Sequence, residues 1–262
     1  MDARKATLRI AALAGACLAS VTIGSAAAQT NDSPGPSAPK ATPSATIESD
    51  KDTKAWTEAI KRDPKKARAH ANRGRALINS GQFDGAIKEL TEAVRLDPTD
   101  AETYASRGSA WFSKGDLDKA IRDYSTAIWQ DPKHVASYIS RASAWAGKGE
   151  FEKAVNDYIE AIRLDPKSAT AYNDYAWLRA TCPDAHYRDG LGAIADATTA
   201  CELTAWKHGY FIDTLAAACA EAGQFSNAIR WQELAVAFVP KDAQLRKHLE
   251  LYRTGVPCRD SQ

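Results

Sequence analysis

Residues 101–134 read AETYASRGSAWFSKGDLDKAIRDYSTAIWQDPKH, and the same pattern recurs in residues 67–100 and 135–168. In register, the three blocks share a glycine, two alanines, an arginine and a closing Asp-Pro pair: Gly81, Gly115, Gly149; Ala86, Ala120, Ala154; Ala93, Ala127, Ala161; Arg73, Arg107, Arg141; Asp97-Pro98, Asp131-Pro132, Asp165-Pro166. The period of 34 residues lies in the range of about 20 to 50 that is typical of repeat arrays. The chain is therefore predicted to stack units that bury their apolar faces against one another.

Each block has the pattern of two amphipathic helices. In the middle block, the first helix has small or aromatic residues every three or four positions, at Tyr104, Gly108 and Trp111. Gly115 interrupts the pattern, and the second helix extends over residues 117–130. Pro132 ends this helix, because proline lacks an N–H donor and disfavours a helical conformation in the residue before it.

These residues resemble the signature of the tetratricopeptide repeat family. The middle block matches the signature at Tyr104, Gly108, Trp111, Ala120, Tyr124, Ala127 and Pro132. The third block matches at Tyr138, Trp145, Ala154, Tyr158, Ala161 and Pro166, whereas the first block has His70 and Leu77 at the aromatic positions. The resemblance implies an all-α fold, a right-handed superhelical solenoid of antiparallel helix pairs, and a role in binding proteins.

The repeat period also divides the chain into segments. Repeats one to three are predicted at residues 67–100, 101–134 and 135–168, preceded by a half-repeat cap at 51–66. An insertion around Cys182–Gly190 shifts the register, which places repeat four at 169–208 and repeat five at 209–242. Residues 243–262 are expected to form a capping helix and a tail, since terminal repeats need a polar outer face for solubility.

Residues 1–28 have the pattern of a secretory signal peptide. A basic start is followed by the apolar stretch Ile10–Gly24 and by small residues before Gln29, where cleavage is expected. Residues 29–50 are rich in Pro, Ser, Ala and Thr and are predicted to form a disordered linker. The mature chain is therefore expected to be exported, to the periplasm, with no membrane span.

Two alternatives remain open for this N-terminal segment. An uncleaved anchor is disfavoured because the apolar stretch is about 15 residues long and a spanning helix needs about 20. Leu13–Cys17 loosely resembles a bacterial lipoprotein box, which would place a lipid on Cys17.

Composition and motifs exclude several classes of function. The net charge is +1, and no basic stripe alternates with aromatic residues, so we predict no nucleic-acid partner. The sequence has no Gly-rich phosphate loop, nucleophile elbow or HExxH motif, which argues against an enzyme and against a cofactor. No CxxC motif occurs and the five histidines are scattered, so no metal site is predicted.

The mature chain would keep four cysteines: Cys182, Cys201, Cys219 and Cys258. In an oxidising compartment an even number suggests disulfides, and four cysteines allow three pairings. We favour Cys182–Cys201, across the two antiparallel helices of repeat four, and Cys219–Cys258, which would fasten the closing helix.

An arginine in the first helix of each early repeat is followed, at a constant spacing, by a carboxylate in the second helix: Arg73 and Glu89, Arg107 and Asp123, Arg141 and Asp157. We predict three ion pairs that tie the two helices together, bidentate where geometry allows. The alternative is a ladder of arginines that grasps an anionic ligand.

The family resemblance also implies where a partner would bind. In such arrays the first helices line a groove with their second, fifth, sixth, ninth, twelfth and thirteenth residues. These positions hold Arg68, Asn72, Arg75, Asn79, Glu102, Ser106, Ser109, Phe112, Ser113, Ile139, Ser140, Ser143, Asn173, Asp174 and Trp177. Phe112 and Trp177 are candidate aromatic anchors for a partner, although either could instead pack between helices. The carboxylate clamp of chaperone adaptors is not reproduced, because only Arg75 among its five positions is basic.

The seven tryptophans are predicted mainly to pack in the core. We expect a non-catalytic scaffold in the bacterial envelope that binds a partner segment in this groove. The alternative is a structural, self-associating or lipid-tethered envelope component that captures no peptide.

Overall fold

The computed structural model describes residues 43–63 and 65–260, with the backbone alone for residues 43–52. The regular elements of these ranges are twelve α-helices and one short 3-10 turn, Ala185–Tyr187. The helices are α1 Pro43–Arg62, α2 Ala67–Asn79, α3 Phe83–Leu96, α4 Ala101–Ser113, α5 Leu117–Gln130, α6 Val135–Gly147, α7 Phe151–Leu164, α8 Ala169–Thr181, α9 Gly190–Leu203, α10 Gly209–Glu221, α11 Phe225–Phe238 and α12 Ala243–Arg253. The all-α fold predicted from the repeat is confirmed.

The chain divides into two compact units, with the boundary between Pro166 and Lys167. In the N-terminal unit, α2 packs on α3, α4 on α5 and α6 on α7, and each pair packs on the next. In the C-terminal unit, α8 packs on α9 and α10 on α11, and α12 packs on α11. The helices are therefore arranged in consecutive pairs, as in a tetratricopeptide solenoid.

The repeated residues place the helix ends. The Asp100 side chain accepts a hydrogen bond from the backbone N–H of Glu102, and Asp116 accepts one from Lys119, which satisfies free donors at the starts of α4 and α5. Gly115 turns the chain between these helices with a φ of +80°, a region that glycine enters without steric cost. Asp131 has the extended conformation expected before a proline, and α5 ends there.

Small residues allow the two helices of a pair to approach closely. Ala120 and Ala154, in α5 and α7, have no exposed surface, and Tyr124 is almost fully buried. A Cβ atom added at Gly108 would lie 2.7 Å from Tyr124 Cε1. The Tyr124 ring therefore occupies the space that the missing Gly108 side chain leaves.

The largest apolar cluster lies in the C-terminal unit, where residues of α8 to α12 and of the chain after α12 pack together. Trp231 is its largest fully buried side chain, and Trp206 stacks on it at a centroid distance of 5.2 Å. Gly190 starts α9 directly against the end of α10, since a Cβ atom there would lie 2.5 Å from the Ala222 nitrogen.

The structure tests only part of what was predicted for the N-terminal segment, the signal peptide and the linker. The signal peptide and Cys17 lie outside the described residues, as do residues 29–42 of the predicted linker. Residues 43–50 of that linker are helical, because α1 begins at Pro43, ahead of the predicted cap. Proline suits the first position of a helix, where its missing N–H would have no partner, and Glu, Asp and Lys replace the Pro-Ser composition from residue 48 onward.

The predicted disulfides are absent from the described chain. Cys182, Cys201, Cys219 and Cys258 are all buried, and none of them forms a disulfide. The Cys258 sulfur lies 3.2 Å from the Tyr252 hydroxyl oxygen, so its polar contact is with α12. Within the same residues, none of the helices combines the length and the apolar character that crossing a membrane requires.

We predict that Gly108→Ala destabilises the protein by about 1–2 kcal/mol, because the new methyl group overpacks the buried Tyr124 ring. Gly85→Ala is the matched control, since its Cβ atom would lie 3.4 Å from the nearest carbon and alanine gains about 1 kcal/mol in a helix. Denaturant unfolding of both variants measures the difference. Equal stability of the two variants would show that the close approach at Gly108 carries no cost.

Candidate functional site

The predicted arginine–carboxylate pairs of repeats two and three are present and bidentate. Arg107 donates through Nε and Nη2 to the two Asp123 oxygens, both at 2.8 Å. Arg141 contacts Asp157 in the same way at 2.8 and 2.7 Å. Both carboxylates are buried, so these guanidinium groups are committed to tying two helices together and are not available as an open ladder for an anion.

The same arginines also reach the preceding repeat. The third nitrogen of Arg141, Nη1, donates to Ser125 Oγ at 3.0 Å, and that of Arg107 lies 3.4 Å from Thr91 Oγ1. Two further pairs join neighbouring repeats, since Lys114 contacts Asp84 and Lys148 contacts Asp118, in each case an aspartate of the preceding repeat. The lysine–aspartate pairs were not predicted, although both residues recur in the repeat register and that register would have identified them.

Repeats one and four depart from this geometry. In repeat one, Glu89 is shared between Arg73 at 3.3 Å and His70 at 2.8 Å, because His70 replaces the tyrosine of the other repeats. In repeat four, Asp196 keeps the acidic position, but its partner is Arg179, at 2.7 Å, one helical turn beyond the expected place.

A polar strip connects the first helices of the N-terminal unit. Arg75 Nη2 donates to Asn72 Oδ1 at 2.5 Å, and Arg75 Nη1 lies 3.7 Å from Glu102. Glu102 also contacts His134 Nε2 at 3.0 Å, and His134 Nδ1 lies 2.7 Å from Ser137 Oγ. We call these five residues the Arg75 strip. The exposed Arg68 lies one turn before Asn72 on α2.

Three other predicted groove residues are engaged in packing between helices. Ser109 Oγ accepts from the Tyr124 hydroxyl at 3.3 Å, and Ser143 Oγ lies 3.0 Å from the Tyr158 hydroxyl. Phe112 packs against the buried cluster around Ile121 and Tyr124. These side chains link first and second helices, which is the packing alternative that the sequence left open for Phe112.

The predicted groove positions of the C-terminal unit are covered by the chain itself. Asn173 is buried and donates to Asp174 at 3.0 Å, while burial raises the pKa of Asp174 to about 7. The Trp177 indole N–H donates to Asp260 Oδ2 at 2.9 Å, and its ring lies 5.9 Å from that of His248. Trp177 therefore contacts α12 and the C-terminal segment, which the sequence pattern did not indicate because neither is part of the repeat.

One tryptophan is an exception to the core packing that was predicted for most of the seven. Trp129, on α5, is 77% exposed. Its register partners Arg95 and Arg163 form surface ion pairs with Glu92 and Glu160. Thr126 occupies the acidic position in the middle repeat, so this surface has a large apolar side chain where its neighbours have a charge pair.

The described residues contain no group of three His, Cys, Asp or Glu side chains that could hold a metal ion. The strongest feature of the first helices is instead a row of hydrogen-bonding side chains on the N-terminal unit. Such an arrangement suits recognition of a polypeptide.

The comparisons with known proteins agree with this geometry. The sequence model described as Tetratricopeptide repeat matches residues 54–101 and 72–135, and one described as TPR repeat matches residues 146–176. The chain is a tetratricopeptide repeat protein. No curated protein matches its sequence.

Several solved structures share the fold of this tetratricopeptide repeat protein. A chain of the APC/C hetero-tetramer Cut9-Hcn1 superposes with a TM-score of 0.70 at 16% identity, over 79% of this chain and 40% of that one. TTC0263, a thermophilic TPR protein of Thermus thermophilus, gives 0.59 at 20% identity, over 72% and 98%. YrrB gives 0.53 at 17% identity, over 76% and 98%. The chain thus spans less than half of the Cut9-Hcn1 chain, and at these identities the likeness shows the fold alone.

We predict that the Glu102–His134 pair contributes to stability over a limited pH window. Its hydrogen bond raises the pKa of His134 above 6.5 and lowers that of Glu102 below 4.5. The contribution of the pair to the free energy of unfolding is therefore complete between pH 4.5 and pH 6.5. It is lost as the pH rises through the raised pKa of His134, and it is lost as the pH falls through the lowered pKa of Glu102.

A double-mutant cycle with Glu102→Gln and His134→Gln tests this window by thermal unfolding. We expect a coupling of about 0.5 kcal/mol near pH 5.5 and none near pH 9. The same coupling at both pH values would mean that the contact does not depend on the charge of His134.

Proposed function

We propose that this protein is a non-catalytic interaction scaffold that binds an extended segment of a partner protein on the first helices of its N-terminal unit. The tetratricopeptide fold itself is a protein-binding architecture. The observation that carries the finer proposal is a difference in exposure between the two units.

In the N-terminal unit the acidic and basic groups of the Arg75 strip reach solvent. The side chains of Arg75 and Glu102 are 36% and 55% exposed. At the corresponding face of the C-terminal unit, Asp213 and Glu221 are 9% and 15% exposed, because α12 and the C-terminal segment lie on them. A partner that approaches the first helices therefore finds charged groups accessible on the N-terminal unit.

The chemistry of the strip indicates what the partner offers. Arg75 Nη1 is buried without a hydrogen-bond acceptor, and its contact with Glu102 is long. A rotation of this part-exposed side chain toward a carboxylate or backbone carbonyl of the partner would give the guanidinium the missing acceptor, while Glu102 would accept from a partner N–H group. Both kinds of group occur along any extended acidic segment, which is the partner that we propose.

A structure described as YrrB, "a TPR protein with an unusual peptide-binding site", shares this fold. Cut9-Hcn1 is described as a hetero-tetramer, and so also forms a complex between proteins. These descriptions are in keeping with a binding role for the present chain; the proposed site rests on the Arg75 strip alone.

Export to the bacterial envelope is part of the proposal. It rests on the basic start, apolar stretch and small residues of 1–28. Cleavage would leave a mature chain that begins at Gln29, whereas lipidation would leave one that begins at a modified Cys17.

The test is crosslinking in the envelope of the native host followed by mass spectrometry, with the double variant Arg75→Ala/Glu102→Ala beside the natural chain. We expect crosslinks from a partner to residues of α2 and α4, and a loss of about 10- to 100-fold in partner binding in the variant, since hydrogen bonds to charged groups are removed. Arg95→Ala is the control, because it removes an exposed charge from a second helix. The same spectra give the first residue of the mature chain.

Retention of the same crosslinks in the natural chain, the double variant and the control would refute the proposed binding surface. A mature chain that begins at Met1 and is recovered from the cytoplasm would refute export.

A second candidate function, self-association, is favoured by the exposed Trp129. A second copy of the chain could cover this ring, because large exposed aromatic side chains are enriched at interfaces between proteins. Thr126→Glu/Trp129→Arg would restore the charge pair that both neighbouring repeats have at this position.

Light scattering over a range of concentrations tests the second candidate. If self-association is the function, the natural chain increases in mass with concentration and the double variant stays monomeric. A monomer at every concentration would eliminate this candidate and leave the binding of a different protein.

A further inference from the structure

The segment after the last helix folds back onto α8 and α10. Residues 256–260 have no regular secondary structure and follow the turn at Gly255. The backbone N–H of Asp260 donates to the Thr181 carbonyl oxygen at 3.0 Å, which attaches the segment to the end of α8. The segment is therefore placed by specific bonds and does not simply continue α12.

Two charged side chains of this segment reach the helices beneath. Asp260 Oδ2 accepts from the Trp177 indole N–H at 2.9 Å and from Thr181 Oγ1 at 3.4 Å. Arg259 Nη2 lies 2.6 Å from Glu221 Oε2. Trp177 and Thr181 are the ninth and thirteenth residues of α8, and Glu221 is the thirteenth of α10. All three hold positions that line the groove according to the family resemblance.

Glu221 is itself held in place by the insertion of repeat four. Arg188 Nε donates to Glu221 Oε1 at 2.9 Å, and Arg188 Nη1 donates to the Cys182 carbonyl oxygen at 2.8 Å. The second carboxylate oxygen of Glu221 is left facing Arg259. Arg188 of the insertion thus orients the Glu221 carboxylate that Arg259 of the C-terminal segment contacts.

This segment contains both buried and exposed residues. Cys258 is buried beside Tyr252, whereas Val256, Arg259 and Asp260 are exposed. One small side chain enters the core, and directional polar contacts hold the rest at the surface. A bound peptide has this pattern of contacts, whereas a core element would be buried along its whole length.

We propose that Val256–Asp260 is an internal ligand, and that Trp177, Thr181 and Glu221 form a binding site for an extended peptide in which a small apolar side chain is followed by a basic and then an acidic residue. The chain's own segment occupies this site. Because a short tether gives an effective concentration in the millimolar range, a peptide in solution gains access only to the fraction of molecules in which the segment is released.

A labelled peptide with the sequence of residues 254–262, TGVPCRDSQ, tests the site directly. We compare its binding to the full chain and to a chain shortened after Gly255, which keeps α12 intact. We expect the shortened protein to bind the peptide at least about 10-fold more tightly than the full chain does, since the competing segment is gone. A peptide with Arg259→Ala and Asp260→Ala is expected to lose this binding.

If the shortened chain does not fold, the full-length variant Arg259→Ala/Asp260→Ala is used instead. This variant is expected to fold, because both of the substituted residues lie at the surface. Hydrogen exchange should then be faster at the amides of residues 258–260 than in the natural chain, with the amides of α10 unchanged. The proposal is overturned if the shortened chain folds but does not bind the peptide, or if the altered peptide binds as tightly as the natural one. It is also overturned if the full-length variant and the natural chain exchange at the same rate at residues 258–260. None of these outcomes depends on the partner site proposed for the N-terminal unit.

Discussion

A single pair of helices cannot bury its apolar side alone, and the rest of this molecule follows from that constraint. The buried positions are largely alanines, and Ala86, Ala120 and Ala154 have no exposed surface at all. Burial of an alanine contributes little hydrophobic free energy, because its side chain is a single methyl group and each buried CH₂ group contributes about 0.8 kcal/mol. What it provides is a short distance between helices, which brings aromatic side chains such as Tyr124 against the neighbouring backbone. Stability is therefore spread along the array, and every pair needs a neighbour.

Polar contacts set the geometry that the small apolar residues leave undefined. A methyl group packs in many orientations, whereas the bidentate contact of Arg107 with Asp123 is satisfied at one relative position of two helices. Such a buried pair adds little net stability, because removing its charges from water costs about as much as the contact returns. Its effect lies in the register of the helices. The Gln232 amide group, which donates to Asp213 and to the Leu245 carbonyl oxygen, fixes α11 against α10 and α12 in the same way.

Periodicity decides which of these features could be predicted. The register alone pairs Arg141 with Asp157 and puts glycine at the turns, since those contacts recur at a fixed spacing. It could not predict Arg179 as the partner of Asp196, because the arginine position of repeat four holds Tyr175 and the arginine that contacts the acid lies one turn later. It gave no sign that Trp177 would meet Asp260 near the far end of the chain, because the C-terminal segment does not repeat. The expected disulfides rested on an even number of cysteines in an oxidising compartment and on the antiparallel helices of repeat four, whereas in the structure the Cys258 sulfur contacts the Tyr252 hydroxyl.

The requirement for a neighbour also explains why the first helices of the two units differ in exposure. At the end of an array some other element must cover the last pair, and here α12 does so by packing on α11 and placing His248 against Asp213 at 2.9 Å. The buried carboxylate and imidazole satisfy one another, so the cover does not leave an isolated buried charge. Once α12 lies there, the chain that follows it runs over Trp177 and Glu221. The C-terminal unit thereby uses its first-helix face for its own closure, whereas Arg75 and Glu102 on the first helices of the N-terminal unit remain exposed to solvent.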